Sequence, residues 1–511
     1  MKKLAKLITV VILLIALLAG CSNAEQTPQN KNSITILQGV DATTLDPAKH
    51  SDSPTSNIEY QIFDTLLARD NNMKIQARVA KSWQMINDTT WQFELRDDIQ
   101  FHNGIVLTAE DVKYSIERIL NPNNKSPKIS NYKSIKKIEV LNDNQLVIIT
   151  HKPNPVLLTR LAELRIVPKS YIEEIGSEKF ALNPVGSGPY KFNKWVKDDH
   201  ISLTANEQYW NGSPAIKEVI FKPVPEASAR VMALQSGDAD LITNLPPHLI
   251  DTVNNNKNLQ ALKVNSTRFI MLSFTTSRES VKDVNVRKAI NYAIDQDIII
   301  KKILANNAVS STQPVCNFDL GFNENIKGYE YNPQLAKELL AESGTKNLKI
   351  RMKSPSGRYL MDKEVAEAIK AQLQEVGIEV ELTFEEWGGY VTSIIKGTID
   401  ADLWLIGWGS STFDAGTTLQ TFLHTSQPVA QYDVSETKNK WVDNQIDLAL
   451  STMNNDDREN IYHELIQQAL ADAPFVNLYQ QCDIYGINTR INYTARSDEL
   501  IDLAAVTFKK N

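Results

Sequence analysis

Two α/β lobes, the first carrying an α+β insert, are predicted from three observations in the 511-residue chain. First, two stretches share one pattern. VIFKPVPEASARVMALQSGDADLI (219–242) and VELTFEEWGGYVTSIIKGTIDADLWLIGW (380–408) each give an apolar strand, a helix of about ten residues and a Gly turn, and then Asp-Ala-Asp-Leu opens another strand. Each reads as a βαβ unit, and the handedness rule for such units predicts parallel strands. Second, residues 76–185 differ in texture, with alternating strands and short turns rather than βαβ units. Third, a chain of this length with 42% hydrophobic and 23% charged residues is globular and long enough for two or three domains.

Taken in order, the chain opens with MKKLAKLITVVILLIALLAGCSN, a basic start followed by an apolar run from Leu7 to Leu18 and then small residues. This is a secretory signal pattern, too short and wrongly flanked for a spanning helix. The LAGC ending resembles the lipobox of bacterial lipoproteins, which implies cleavage before Cys21 and lipidation of its sulfur. SNAEQTPQNKN (22–32) is polar, without core residues, and reads as a tether. WQFELRDDIQF alternates as a strand, FHNG turns, and Thr108 caps a helix with Glu110 and Asp111 in its first turn. KKIEVLNDNQLVIITH (136–151) is a hairpin around Asn-Asp-Asn. DVNVRKAINYAIDQDIIIKKIL (283–304) is amphipathic, with Val286, Ala289, Ile290, Ala293 and Ile294 on one face, and starts the second lobe. SPSGRYLMDKEVAEAIKAQLQEVGIEV (354–380) gives a strand end, a loop, a helix stopped at Gly377 and a new strand. APFVNLYQQCDIYGINTRI is strand-like and returns to the first lobe.

The formal net charge is −7, and loss of Lys2, Lys3 and Lys6 with residues 1–20 takes it to −10. An acidic surface argues against nucleic acid as a partner and against an electrostatic grip on anionic lipid. Cys316 and Cys482 can pair in an oxidising space, but nothing in the sequence aligns them, and unpaired buried thiols are the expected state.

WQFELRDDIQFHNGIVLTAEDVKYSIER, NPVGSGPYKFNKW, NEQYWNG, VRKAINYAID and GRYLMDKEVAEAIKAQLQEVGIEV follow one another along the chain. In this order they resemble the family 5 extracellular solute-binding proteins of ABC importers, over roughly residues 33–511. The resemblance implies a periplasmic-binding-protein-like α/β fold with a ligand cleft between the lobes. It also implies delivery of a small peptide or glutathione-like ligand to a membrane permease and its ATPase subunits. The resulting partition is a signal peptide at 1–20, a lipid-anchored tether at 21–32, first-lobe segments at 33–75, 186–278 and 479–511, the insert at 76–185, and the second lobe at 279–478. The expected protein is a monomer, lipid-anchored on the extracytoplasmic face of the cell membrane, with no cofactor and no catalytic role.

Candidate ligand residues follow. Arg358 lies just before a helix N-terminus, where the macrodipole already places positive charge, so it calls for an anionic partner. That partner is Asp362 or Glu364 in a structural reading, or a ligand carboxylate held by its fork in a functional one; Tyr359 stands beside it. In GWGSSTFDAG (407–416), Trp408 ends a buried strand at the edge where α/β sheets bind ligands. Ser410, Ser411 and Asp414 follow in a loop of small residues. Dipeptide and oligopeptide binders of the family place an Asp three residues after this Trp to grip the ligand's amine. Here that position is Ser411, whose hydroxyl gives no comparable charge-assisted bond, and Asp414 is the nearest substitute. The pattern looks closer to the branch with glutathione-binding members. Ser56 and Asn57, in the loop 42–60, are weaker candidates lining the cleft.

The seven histidines are scattered, without HExxH or paired-ligand spacing, and no CxxC, G-x-S-x-G, P-loop or dinucleotide fingerprint occurs. No protein-held metal is expected. The alternative within the class is a nickel chelate, whose chelator supplies most ligands and whose shell His424 completes. A secreted peptide hydrolase lacks a visible catalytic constellation, and a sensing or chaperone role on the same fold is the remaining rival.

Overall fold

The computed structural model describes residues 32–509; Cys21, the signal segment and nearly all of the tether lie outside them. Among the described residues no helix is long and apolar enough to cross a membrane.

The two DADL stretches fold alike. Strand Glu218–Pro223, helix Ala227–Ser236 and strand Leu241–Ile242 form the first; strand Glu379–Glu385, helix Trp387–Ile395 and strand Leu403–Gly409 form the second. In neither do the two strands pair with each other, because each crossover passes over a third strand. Strand Ser33–Gln38 lies between the first two, and Lys349–Pro355 between the second two. Lys349–Pro355 runs parallel to both of its neighbours, as strands joined by helical crossovers do. Asp240 and Asp402 have kindred jobs at these strand starts: each carboxylate accepts a backbone N–H of the central strand, Thr35 at 2.9 Å and Arg351 at 2.7 Å. That task accounts for the second Asp of each DADL.

Two long antiparallel strands, Leu259–Phe274 and Phe475–Asn488, join the halves. Their outer stretch, Leu259–Asn265 against Cys482–Asn488, runs beside Leu241–Ile242 of the first half. Their inner stretch carries Arg268–Phe274, which pairs with Leu403–Gly409 of the second half. The register slips between Asn265 and Phe269. Such an irregularity bends a strand and increases its twist, and here it falls where the ladder passes from one half to the other. Burial follows: residues 259–265 are largely half-exposed, whereas 266–274 are buried throughout.

Three apolar cores result. One fills the second half around Trp404, Ile369 and Tyr462 and continues into the first at Leu37, Val231 and Leu234; another fills the first half around Phe63, Phe180 and Tyr190. The third lies under a separate four-stranded antiparallel sheet, Ala80–Asn87, Thr90–Leu95, Gln145–Thr150 and Ile135–Asn142 in spatial order. Helix Ala109–Leu120 packs there, begun by a reciprocal capping box of Thr108 and Asp111. Helix Asp362–Glu375 buries Val365, Ala366, Ile369 and Leu373, and Gly377 follows at φ +90°.

The amphipathic region 283–304 is not one helix. Val284–Ala293 ends at Ile294, Asp295 caps a new short turn by accepting from Ile298 N–H, and Ile299–Ile303 widens to a π-turn. The apolar period continues through the break, which is why the sequence does not disclose it. Both thiols are free, Cys316 buried and Cys482 half-buried.

Candidate functional site

A polar pocket lies against the long strands, walled from both halves. Gln38, Gly39, Ser53, Asn57, Thr243 and Asn244 come from the first half and Arg358 from the second; Gln481, Asp483 and Tyr485 come from the strand Phe475–Asn488, and Glu499 from the C-terminal segment. The walls touch directly: Asn244 Nδ2 donates to the Arg358 carbonyl at 3.0 Å. A Cβ added at Gly39 would lie 1.7 Å from the Gly357 carbonyl oxygen.

Arg358 is buried here, and the pairing expected for it changes. Asp362 takes none of its side chain. That carboxylate instead accepts the backbone N–H groups of Gly357, Arg358 and Tyr359 at 3.0, 2.8 and 3.0 Å and so shapes the loop ahead of its helix. Glu364 makes no ion pair with Arg358 either; the guanidinium sits 3.5 Å from Glu499 and lies over the rings of Tyr359 and Trp387, at 4.8 and 5.2 Å. Its Nε has no hydrogen-bond partner.

Glu499 is claimed first by Arg268, whose Nε and Nη2 both donate to it. Burial opposes its charged form, but the Arg268 and Arg358 guanidiniums prevail and hold its carboxyl below the usual range. Asp483 behaves oppositely. Burial, with the Glu499 charge beside it, pushes its carboxyl up. Gln481 donates to its Oδ1 at 2.6 Å, and its Oδ2 has no partner.

The remaining expected residues divide. Asn57 lines the pocket with Arg358; its amide donates to Gln38 and its Oδ1 accepts Ile501 N–H. Ser56 is half-buried, its carbonyl accepting from Arg165. Tyr359 is buried below the pocket as a strut, its hydroxyl donating to the Gly407 carbonyl at 3.2 Å. Trp408 is half-buried, edge-on to Phe422 at 5.1 Å, with its indole N–H unpartnered. Ser410 is fully buried and turned toward Asp414. Ser411 stands on a seam with the insert, where Arg160 Nη1 donates to its hydroxyl at 3.2 Å and Arg69 to its carbonyl.

Asp414 is not free to hold a ligand ammonium. One oxygen accepts from Arg458 at 3.0 Å, and the other accepts from Tyr462 and from Gly416 N–H, capping helix Ala415–Leu423. His424 also lies elsewhere. It ends that helix, with its ring 3.5 and 3.6 Å from Asp443 and Asp447. Among the described residues no group of three or more His, Cys, Asp or Glu side chains is placed to hold a metal ion.

Sequence reasoning missed Asp483, Glu499, Arg268, Gln481 and Asn244. One signal was present: in FVNLYQQCDIYGIN, the polar Gln480, Gln481 and Asp483 cluster in the middle of a largely apolar strand that also carries Asn477. All three are buried, and buried polar side chains in a strand call for partners.

Residues 74–429 match the family model for bacterial extracellular solute-binding proteins, family 5. The glutathione-binding protein GsiB of Pectobacterium atrosepticum is 27% identical over 451 residues, 87% of either chain. The oligopeptide-binding protein AppA of Bacillus subtilis is 24% identical over 506 residues, 93% of this chain and 92% of its own. Among solved structures, NikZ of Campylobacter jejuni in complex with Ni(L-His) superposes with a TM-score of 0.83 at 27% identity, covering 93% of this chain and 98% of that one. DppA of Helicobacter pylori in complex with the peptide STSA gives 0.85 at 26% identity, covering 94% and 98%. These neighbours are two-lobed binding proteins, and the two halves joined by paired long strands have the same design. The chain belongs to the family 5 bacterial extracellular solute-binding proteins.

Proposed function

We propose that this protein captures a small peptide or glutathione-like solute by closing its two halves over the pocket at Arg358, and hands it to the permease of an ABC importer. Binding by hinge closure buries a ligand at the interface of two lobes. The observation that carries the reading is the pocket itself, walled from both halves, with a buried arginine Nε left without a partner. Ligand contacts are assigned to Arg358 and Asn57. Trp408 and Ser411, on the strand and loop 403–414, are not among the residues that line this pocket. Capture and release need no nucleophile or general base, so the protein acts by binding rather than by catalysis. Lipidation of Cys21 would keep it at the outer face of the membrane beside its permease. The nickel-chelate alternative keeps the likeness to NikZ in complex with Ni(L-His), but His424, its expected protein ligand, faces Asp443 and Asp447 and does not line this pocket.

The test is native mass spectrometry of ligand retained by the purified protein, followed by thermal shift with glutathione, dipeptides, and nickel with free histidine. A retained peptide or glutathione that raises the melting temperature is the expected result. Retention of nothing, with no shift from any probe, would overturn the proposal.

A further inference from the structure

We infer that Asp483 and Arg358 together read an α-amino-acid head: an ammonium and a carboxylate borne by the same carbon of the ligand. The inference rests on the pocket being the solute site and narrows what the site takes.

Twelve residues line the pocket. Only two of them keep a buried side-chain polar atom without a hydrogen-bond partner, Arg358 at Nε and Asp483 at Oδ2. They are 7% and 5% exposed. The other two charged side chains at this place, Arg268 and Glu499, satisfy each other through a two-pronged pair. What remains is one arginine and one aspartate that line the same pocket, each keeping one buried side-chain atom without a hydrogen-bond partner. They do not neutralise each other, because Arg358 makes its ion pair with Glu499 at 3.5 Å and Asp483 makes none. A buried polar atom left without a hydrogen-bond partner is costly, so the Arg358 Nε calls for an acceptor and the Asp483 Oδ2 for a donor from elsewhere. A single zwitterionic group supplies both.

The surroundings suit that task. Gln481 fixes the Asp483 carboxylate through Nε2 while its Oε1 accepts Leu360 N–H at 3.3 Å, so the Asp483 carboxylate and the Arg358 loop are positioned by one side chain. Gln38, Asn57, Ser53, Thr243 and Asn244 add neutral polar groups around the pair. A second hollow against the same long strands, lined by Lys263, Asn265, Asn306, Asn307 and Gln480, has no buried unpartnered charge. It does not compete for this assignment.

The chemistry sorts ligand classes. The N-terminus of an ordinary peptide brings an ammonium with no carboxylate on its carbon, and the C-terminus brings the reverse. Both groups sit on one carbon in a free amino acid and in a γ-linked glutamyl peptide. Those are the two sources of the head this pocket selects.

Calorimetry at pH 8 tests the inference with defined probes: γ-glutamylglycine, glutathione, free L-glutamate and free L-histidine, then alanylalanine, glutarylglycine, which lacks the ammonium, and 4-aminobutyrylglycine, which lacks the α-carboxylate. At least one of the first four should bind, with γ-glutamyl compounds and free amino acids separating the two sources. Removing either charged group from the ligand should weaken binding at least tenfold. In Asp483→Asn the preference for γ-glutamylglycine over glutarylglycine, or for glutamate over glutarate, should collapse, with the unfolding midpoint confirming a folded variant. Arg358→Gln should erase the preference for the α-carboxylate in the same way. Equal affinity of the wild-type protein for the parent and for its truncated analogues would overturn the inference without recourse to any variant. Tight binding of alanylalanine alone would also overturn it while leaving the proposed capture of peptides intact. Only failure to bind or retain any solute removes both.

Discussion

The carboxylates decide most at the scale of single residues. Asp414 looks like a ligand anchor in the sequence and is a helix cap and buried ion-pair partner in the fold. Asp414→Asn keeps the cap, since Asn caps as well as Asp, but leaves Arg458 facing a neutral group. Removing one partner of a buried pair costs about 3–5 kcal/mol. The low end applies here, because Arg458 also donates to Asn455 Oδ1 and the Thr452 carbonyl. Urea unfolding should show that loss, with ligand affinity changed less than threefold; a tenfold affinity loss at unchanged stability would restore the anchor. Asp319 gives a prediction with a pH signature. Burial raises its carboxyl to about 7, against a hydrogen bond from Cys316 N–H that favours the charge. The folded state therefore binds this proton more tightly than the unfolded state does. Stability from this group is highest below about pH 4 and falls as pH rises to about 7. Asp319→Asn keeps an acceptor for Cys316 N–H and removes the buried charge. It should raise stability at pH 8 by up to about 4 kcal/mol and leave it unchanged at pH 3. Equal melting temperatures of variant and wild type at pH 8 would contradict this.

At the scale of elements, the loop ahead of helix Asp362–Glu375 carries the site. Asp362 gathers three successive backbone N–H groups, and burial raises its carboxyl even as those donors oppose the rise. Asp362→Ala leaves three N–H groups of a buried loop without their acceptor. Each such hydrogen bond to a charged group is worth about 1.5–3 kcal/mol, and water reaching the loosened loop recovers part of that. A stability loss of about 2–3 kcal/mol is expected, together with weaker ligand binding as Arg358 loses its fixed position; unchanged hydrogen exchange at 357–359 would show that the loop holds without Asp362. This helix was legible in the sequence because apolar spacing and a Gly stop depend on neighbours in the chain. The same rule overran at Ile294, where a cap by Asp295 breaks a helix whose apolar period continues. Little of the pocket was legible. Arg268 and Glu499 are 231 residues apart, and Leu360 and Gln481 are 121 apart. Local pattern carries no trace of such meetings. Arg358 was singled out by its place ahead of a helix N-terminus and Asn57 by a segment that lines the cleft in the resembled family, whereas Asp483 was hidden inside a strand read only for its apolar residues.

At the scale of the whole molecule, anchoring and closure are separable. The lipobox reading predicts that Cys21→Ala abolishes lipid labelling and releases the protein from the membrane fraction; undiminished labelling would refute it. Closure turns on a backbone contact. Gly39 follows the first strand of one half, and Gly357 follows the strand Lys349–Pro355 of the other. Here they meet so closely that a Cβ at Gly39 would stand 1.7 Å from the Gly357 oxygen and 2.8 Å from its carbonyl carbon. Neither obstacle is the end of a flexible side chain, so relief requires the halves to part. Gly39 does not occupy the left-handed region, whereas Gly357 does, at φ +79°. Alanine at Gly39 therefore strains only the closed arrangement, and alanine at Gly357 strains the loop in any arrangement. Overpacking a tight contact costs about 1–3 kcal/mol. Paid only on closure, that cost lowers apparent affinity by about tenfold to a hundredfold. Gly39→Ala should thus melt like the wild type without ligand, bind the solute more weakly, and keep the larger ligand-free radius of gyration in X-ray scattering when solute is added. Normal affinity with normal compaction would mean that the two loops need not meet for the ligand to be held, and that closure in solution stops short of the contact seen here.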